Sequence, residues 1–238
     1  MEPILEVSNL YKHYPGFSLE NISFRLEKGQ IMGFLGRNGA GKTTTIKAIL
    51  NLCHPDSGTV RILGQPLDAP GVRARIGYAA GGAAFYPRKT LGAIADLTRP
   101  FYPQWDEEAY RHYCSVFHLV QQKQIRALSE GMKVKFQLAL ALSHGAKLLL
   151  LDEPSSGLDP VSREELRDIF RQLAAKGTAI FFSTHITSDL CGCANCVTYL
   201  QKGRLLASKP MDAFLADHPD CKNLEEIMVK LEKEEIFL

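Results

Sequence analysis

The chain has 238 residues, 45% hydrophobic and 23% charged, with a formal net charge of +2. This composition supplies a sizeable apolar core, and the near-neutral balance argues against a strongly basic nucleic-acid binder while leaving room for a local basic patch. No apolar run approaches the roughly 18 residues of a membrane span, and Met1-Glu2-Pro3-Ile4-Leu5-Glu6 lacks the basic and apolar regions of a secretory leader, so a cytoplasmic location is expected.

Ile4, Glu6, Val7, Asn9 and Leu10 alternate in polarity, and Leu19, Ile22, Phe24 and Leu26 alternate with polar residues. Both patterns predict half-buried antiparallel strands. Glu27-Lys28-Gly29-Gln30 turns the chain into Ile31–Leu35, a short buried strand. Residues 36–43 then read Gly-Arg-Asn-Gly-Ala-Gly-Lys-Thr, the pattern G-x-x-x-x-G-K-[ST]. Gly36, Gly39 and Gly41 let the backbone turn tightly and aim N–H groups at one anion. Lys42 can reach the β- and γ-phosphates, and the Thr43 hydroxyl can ligate Mg²⁺. Ile46, Ile49 and Leu50 follow at helical spacing, and a helix N-terminus adds its positive dipole end to such a loop. A chance match has odds of roughly 1 in 100 in a chain of this length, and the strand–loop–helix context lowers them further.

Thr59–Gly64 predicts a hairpin strand and Ile76–Tyr78 another, while Ala79-Ala80-Gly81-Gly82-Ala83-Ala84 reads as a flexible loop. From about Thr90 to Ser143 the pattern is helical. One helix starts at Asp106 as N-cap, with Tyr110, Tyr113, Val116 and Phe117 on one face. A second runs from Glu130 to Ser143 with Val134, Leu138 and Ala141 or Leu142 in line. Leu148–Leu151 is a buried parallel strand. A helix over Ser162–Lys176 turns Leu166, Ile169, Phe170 and Leu173 inward, and Ala179–Phe182 is a further buried strand. Val197–Leu200 and Arg204–Ala207 frame a hairpin turned at Lys202-Gly203, and Leu224, Ile227, Met228 and Leu231 mark a packing or partner-facing helix, with surface packing the expectation. The reading is an α/β core interrupted by a helical insert.

Asp152 ends the Leu148–Leu151 strand, at the edge where α/β sheets bind ligands. There it can hold Mg²⁺ directly or through water. Glu153 projects differently and is placed to polarise a water attacking a γ-phosphorus. No Asn-Lys-x-Asp element for guanine occurs in the chain, so adenine, and hence ATP, is expected. Cys191, Cys193 and Cys196 could form a Cys₃ metal or redox site. With no second Cys/His cluster beside them, ordinary reduced cysteines are the expectation.

Several elements in fixed order make the chain resemble the nucleotide-binding subunits of ABC transporters over nearly its whole length. Gly36–Thr43 is similar to the family's Walker A loop and Leu128-Ser129-Glu130-Gly131-Met132 to its signature. Leu148–Glu153 is similar to Walker B, Ser156-Gly157-Leu158-Asp159 to the D-loop, and Ser183-Thr184-His185 to the switch histidine. Phe101-Tyr102-Pro103-Gln104-Trp105 and the region of Ser129 look most like bacterial exporter subunits paired with ABC-2-type permeases. The resemblance implies a P-loop NTPase core with a mixed sheet, an N-terminal antiparallel β subdomain and an inserted α-helical subdomain. Residues 1–238 would form a single ABC-type ATPase domain, with the core at 1–88 and 144–238 and the helical insert at 89–143.

The same resemblance assigns roles. Gly36, Arg37, Asn38, Gly39, Ala40, Gly41, Lys42, Thr43 and Thr44 would bind ATP, with Tyr14 stacking on adenine. Thr43 and Asp152 would hold Mg²⁺, and Glu153, His185 and Lys42 would carry catalysis. Ser129 and Gly131 would close on the ATP of a partner subunit, with Asp159 at the interface. Two chains, identical or related, would sandwich two ATP molecules and drive a separate integral membrane permease, placing the chain peripherally on the inner face of the membrane. No nucleic-acid partner is implied. Two other readings fit the motifs: a soluble ABC ATPase in a non-transport role, and a weakly hydrolysing regulatory subunit. Two departures bear on these roles. The signature has Glu130 and Met132 where the family has Gly and Gln, and Gly81 or Gly82 stands where the family has a Mg²⁺-ligating Gln.

Overall fold

The computed structural model describes residues 2–80 and 85–234. The elements run β1 (Leu5–Tyr14), β2 (Phe17–Leu26), β3 (Ile31–Leu35), α1 (Lys42–Ile49), β4 (Ser57–Ile62), β5 (Gln65–Pro66) and β6 (Ile76–Ala80). Then come α2 (Leu91–Thr98), α3 (Glu107–Val116), α4 (Glu130–Ser143), β7 (Leu148–Asp152), α5 (Pro160–Ala175) and β8 (Ala179–Thr184). The chain finishes with β9 (Cys196–Gln201), β10 (Arg204–Pro210), α6 (Met211–Ala216) and α7 (Leu224–Glu234).

The strands form one mixed sheet in the order β5-β4-β1-β2-β10-β9-β3-β8-β7-β6. β9, β3, β8, β7 and β6 are mutually parallel neighbours. β1, β2, β4 and β5 pair antiparallel. The two parts join where β10 meets β2 at Arg204 and Glu20. Along β3, β7 and β8 successive side chains face opposite sides. Ile31, Leu149, Leu151, Ile180 and Phe182 pack under the helices α2 to α5. Met32, Phe34, Leu148, Leu150 and Phe181 pack toward α1 and the antiparallel strands. Burial on both faces is why these strands read as continuous apolar runs.

Two predicted strands carry a detail that plain alternation does not show. Leu5, Val7 and Leu10 are all buried, although Val7 and Leu10 lie three residues apart; Leu19 and Ile22 repeat this. Asn9 and Asn21 take left-handed φ values of 49° and 53°, and the register shifts across Val7–Leu10. Each Asn supplies the extra residue of a bulge, which returns the next apolar side chain to the core.

Three expectations are corrected. Ala79 and Ala80 belong to β6, where they pair with Leu151 and Asp152; the remainder of that expected loop, with Gly81 and Gly82, lies outside the described residues. Val116 is 48% exposed; the buried face of α3 is Tyr110 and Cys114, with Phe117 buried at its C-cap. The i, i+4 step from Tyr110 to Cys114 follows the helix more closely than the step to Val116. The C-terminal helix is more than a surface cover, since Leu224 and Ile227 are buried in the main core.

Candidate nucleotide site

Strand order decides which loops meet. β8 lies between β3 and β7, with Leu35 beside Thr184 and Ser183 beside Asp152. The carboxyl ends of three adjacent strands therefore deliver the 36–43 loop, Ser183–His185 and Asp152–Glu153 to one edge, the ligand-binding edge of an open α/β sheet.

The loop has the shape its glycines allow. A Cβ at Gly36 would sit 2.4 Å from the Leu200 carbonyl oxygen, and one at Gly41 would sit 2.6 Å from Phe17 Cζ. Gly41, at φ 111°, forms the entry to α1. Lys42 is 5% exposed. Its ammonium donates to the carbonyls of Gly36 at 2.8 Å and Arg37 at 3.2 Å, and lies 3.1 Å from Glu153 Oε1. The other Glu153 oxygen is 2.6 Å from His185 Nδ1. Glu153 itself has φ 52°, a left-handed value. For a non-glycine residue this costs about 1–3 kcal/mol and persists only where surroundings enforce it. Here the Glu153 N–H donates to Ser183 Oγ at 3.0 Å, and the Ser156 N–H donates to the Glu153 carbonyl at 3.1 Å.

A cavity of about 400 Å³ opens at this edge, lined among others by Asn38, Gly39, Lys42, Thr43, Thr44, Glu153 and His185. Asp152 is 8% exposed. Its Oδ1 accepts from Ser183 Oγ at 2.6 Å, and no hydrogen-bond donor among the described residues meets its other oxygen. Thr43 and Asp152 are both hard oxygen donors, and two such ligands suit Mg²⁺, which keeps several waters and substrate phosphates in its shell. The described residues hold no cluster of three or more His, Cys, Asp or Glu side chains for an all-protein metal site.

The remaining expected site residues lie elsewhere. Arg37 faces away toward α7, 3.6 Å from Glu232. Ala40 is buried, and its carbonyl accepts from the Gly203 N–H at 2.9 Å. Tyr14, at the end of β1, does not line the cavity. Its ring carries the Lys12 ammonium 5.3 Å from the centroid, and a hydrogen bond with the Cys53 thiol raises its hydroxyl pKa above the ordinary tyrosine value. The aromatic ring lining the cavity is Phe17, across the same hairpin.

Ser129 and Gly131 also lie outside this lining, at the start of α4. Ser129 Oγ accepts from the Met132 N–H at 3.3 Å, capping the helix, and a Cβ on Gly131 would touch Leu158 at 3.4 Å. The Glu130 carboxylate turns to Lys133 at 2.6 Å, which neutralises the residue standing where the signature has glycine. Asp159 caps α5, accepting from the N–H groups of Val161 and Ser162 at 3.0 Å and from Ser162 Oγ at 2.6 Å. Those bonds, led by the Ser162 hydroxyl, hold its carboxyl below the usual carboxylate range.

Sequence reading missed Phe17, Ser155, Ser183 and Asp189. Ser183 shared a motif with His185 but was given no chemistry. Asp189, four residues beyond His185, is buried at 4% exposure, and a buried aspartate is rare enough to mark a structural or functional demand.

Fold and edge together define a P-loop nucleotide-binding protein of the α/β class. The chain belongs to the ABC transporter family, whose profile matches residues 19–156. The bacitracin transport ATP-binding protein BcrA of Bacillus licheniformis is 33% identical over 218 residues, 89% of this chain and 71% of that protein. The ABC transporter ATP-binding protein YtrB of Bacillus subtilis is 31% identical over 88% of this chain and 73% of its own length. An uncharacterized ABC transporter ATP-binding protein of Synechocystis sp. is 33% identical over 85% of this chain. The match spans 61% of that relative, so the chain accounts for under two thirds of its length. Among solved structures, an ATP-binding subunit of an ABC transporter superposes with a TM-score of 0.85 at 29% identity, covering 96% of this chain and 99% of that one. The ADP conformation of an ATP-binding cassette, MJ1267, shares the fold with a TM-score of 0.78 at 21% identity, over 96% of this chain and 99% of that one.

Proposed function

We propose that the chain binds ATP with Mg²⁺, hydrolyses it as one half of a two-chain ATP sandwich, and so drives a separate membrane permease, in the direction of export. The observation that carries this reading is the Glu153 carboxylate, held between Lys42 and His185 at the mouth of the phosphate loop. Lys42 and the N–H groups of residues 39–43 would hold the β- and γ-phosphates. Thr43 and Asp152 would hold Mg²⁺, which when bound neutralises phosphate charge. Glu153 would then polarise the attacking water, and His185, at hydrogen-bond distance from Glu153, would fix its direction.

The cavity is lined by this chain's phosphate loop, Phe17, Glu153, Ser156 and His185. Ser129 and Gly131 do not line it, which supports their assignment to the ATP of a partner chain, identical or related, with Asp159 at the junction. Residues 1–88 and 144–238 would form the ATP-binding body and 89–143 the helical arm. On that arm Leu97 is 52% and Phe101 78% exposed. Such large exposed apolar side chains suit a protein partner, and we assign them to the permease, which would hold the subunit at the inner membrane face. The relatives named for bacitracin transport support a role in transport, and the export direction rests on the resemblance of residues 101–105 and the Ser129 region to exporter subunits. Light scattering of the Glu153→Gln variant with ATP and Mg²⁺ tests the sandwich: ATP-dependent doubling of mass is expected. A strict monomer removes the two-copy assembly.

A further inference from the structure

Ordering of the water-activating pair requires that two loops keep a fixed separation, and one buried side chain spans them. Asp189 lies in the short turn Thr187–Asp189, just beyond His185. Its Oδ2 accepts from Ser155 Oγ at 2.5 Å and from Thr184 Oγ1 at 2.8 Å. Ser155 is two residues after Glu153, and Thr184 is the residue before His185. The Thr184 hydroxyl also accepts from the Ile186 N–H at 2.9 Å, so the residues on both sides of His185 are pinned through one oxygen. Hydroxyl-to-carboxylate bonds of this length are charge-assisted and among the stronger ones available. A carboxylate buried this deeply is costly unless its hydrogen bonds are made, so its place in the fold is bound to this geometry.

We propose that Asp189 is a positioning residue: through Ser155 and Thr184 it sets the separation of Glu153 and His185 and holds the His185 imidazole on the Glu153 carboxylate. Asp189 itself is not among the residues lining the nucleotide cavity. The inference rests on the ATPase reading of the site for its kinetic consequence, and on geometry alone for its structural one.

The test uses the full chain with Asp189→Asn and Ser155→Ala. Asparagine keeps the size but replaces one acceptor oxygen by a donor and removes the charge. Misplacing a catalytic group by about 1 Å costs up to about 100-fold in rate. Asp189→Asn is therefore expected to lower kcat by that factor while KM for ATP stays within about twofold, because the phosphate loop is untouched. Ser155→Ala should lower kcat less, and the double variant should fall no further than Asp189→Asn alone.

The second readout needs no activity. In histidine-labelled protein, with the His185 ring signal assigned by its loss in His185→Gln, Asp189→Asn should move that signal as Glu153→Gln does. A parent chain without ATPase activity overturns the proposed function and leaves this inference to the ring signal. An active parent whose Asp189→Asn variant keeps kcat, or an unmoved His185 signal, overturns the inference. Should Asp189→Asn not fold, Ser155→Ala decides by the same two measurements: a lower kcat with a moved ring signal supports the inference, and a parental kcat or an unmoved signal overturns it.

Discussion

Glu153 Oε1 lies 3.1 Å from Lys42 Nζ, inside the mouth of the phosphate loop. The residue assigned to activate water thus pairs with the residue assigned to bind phosphate. A γ-phosphate entering the loop must compete with a carboxylate for the same ammonium, and Coulomb attraction at this distance in a partly buried site is substantial. Binding would release Glu153 from Lys42 and leave it on His185, which turns its free oxygen toward the phosphate.

Glu153→Gln is therefore expected to do two things. Phosphate release should fall by about 100–10,000-fold, the range for loss of a general base. ATP should bind at least as tightly as to the parent, because the neutral amide no longer competes for Lys42. Steady-state phosphate release and equilibrium ATP binding check both. Hydrolysis at the parental rate would remove Glu153 from its role, and weaker ATP binding would remove the competition.

The phosphate loop, the buried strands and the helix starts at Asp106 and Ser129 were legible because each depends on local chemistry. Glycine spacing, continuous apolar runs and capping side chains are written into neighbouring residues. What was not legible depends on distant partners. Phe17 reaches the cavity only because the β1–β2 hairpin folds over Gly41. Asp189 finds Ser155, 34 residues earlier, only because β7 and β8 are neighbours in the sheet. Asn9 and Asn21 signal their bulges only once the pairing of β1 with β2 is known.

Two glycines of the loop should respond differently to alanine. Gly39 has φ 84° with open space around a new Cβ, whereas Gly41 has φ 111° and a Cβ there would meet Phe17 and Leu19 at 2.6 and 2.7 Å. Gly39→Ala should cost about 1–2 kcal/mol for a left-handed L-residue. Gly41→Ala should add about 1–3 kcal/mol of overpacking and weaken ATP binding. Each kcal/mol corresponds to about 2–4 °C in Tm for a domain of this size. Equal melting temperatures for the two variants would show that the Phe17 contact does not constrain the loop.

Asp159 links stability to pH. Its hydrogen bonds with Ser162 and Val161 lower its folded pKa below the unfolded value. A depressed carboxylate contributes stability above its unfolded pKa and loses it as pH falls through the folded one. The parent should accordingly be more stable than Asp159→Asn at neutral pH. The difference should shrink as pH falls from about 4, the ordinary aspartate value, and vanish in stronger acid. Denaturant titrations of both proteins from pH 7 to pH 2 measure it; a difference that grows in acid contradicts the sign.

The cysteine cluster separates in space what the sequence places together. Cys191 is exposed, while Cys193 and Cys196 are buried. Burial pushes the Cys193 thiol up to about 11 and raises that of Cys196. At pH 8 a thiol of that pKa is about one-thousandth thiolate, and thiolate is the nucleophile. Iodoacetamide on folded protein should therefore modify Cys191 first and reach Cys193 and Cys196 only on unfolding. A zinc-selective chelator, added to nucleotide-free protein in excess Mg²⁺, should leave Tm unchanged, since no group of three or more His, Cys, Asp or Glu side chains among the described residues could hold a metal. Peptide mapping after timed alkylation reads the order. Labelling of Cys193 at the rate of Cys191, or a chelator-induced drop in Tm, would restore the metal or redox reading of the Cys191–Cys196 segment.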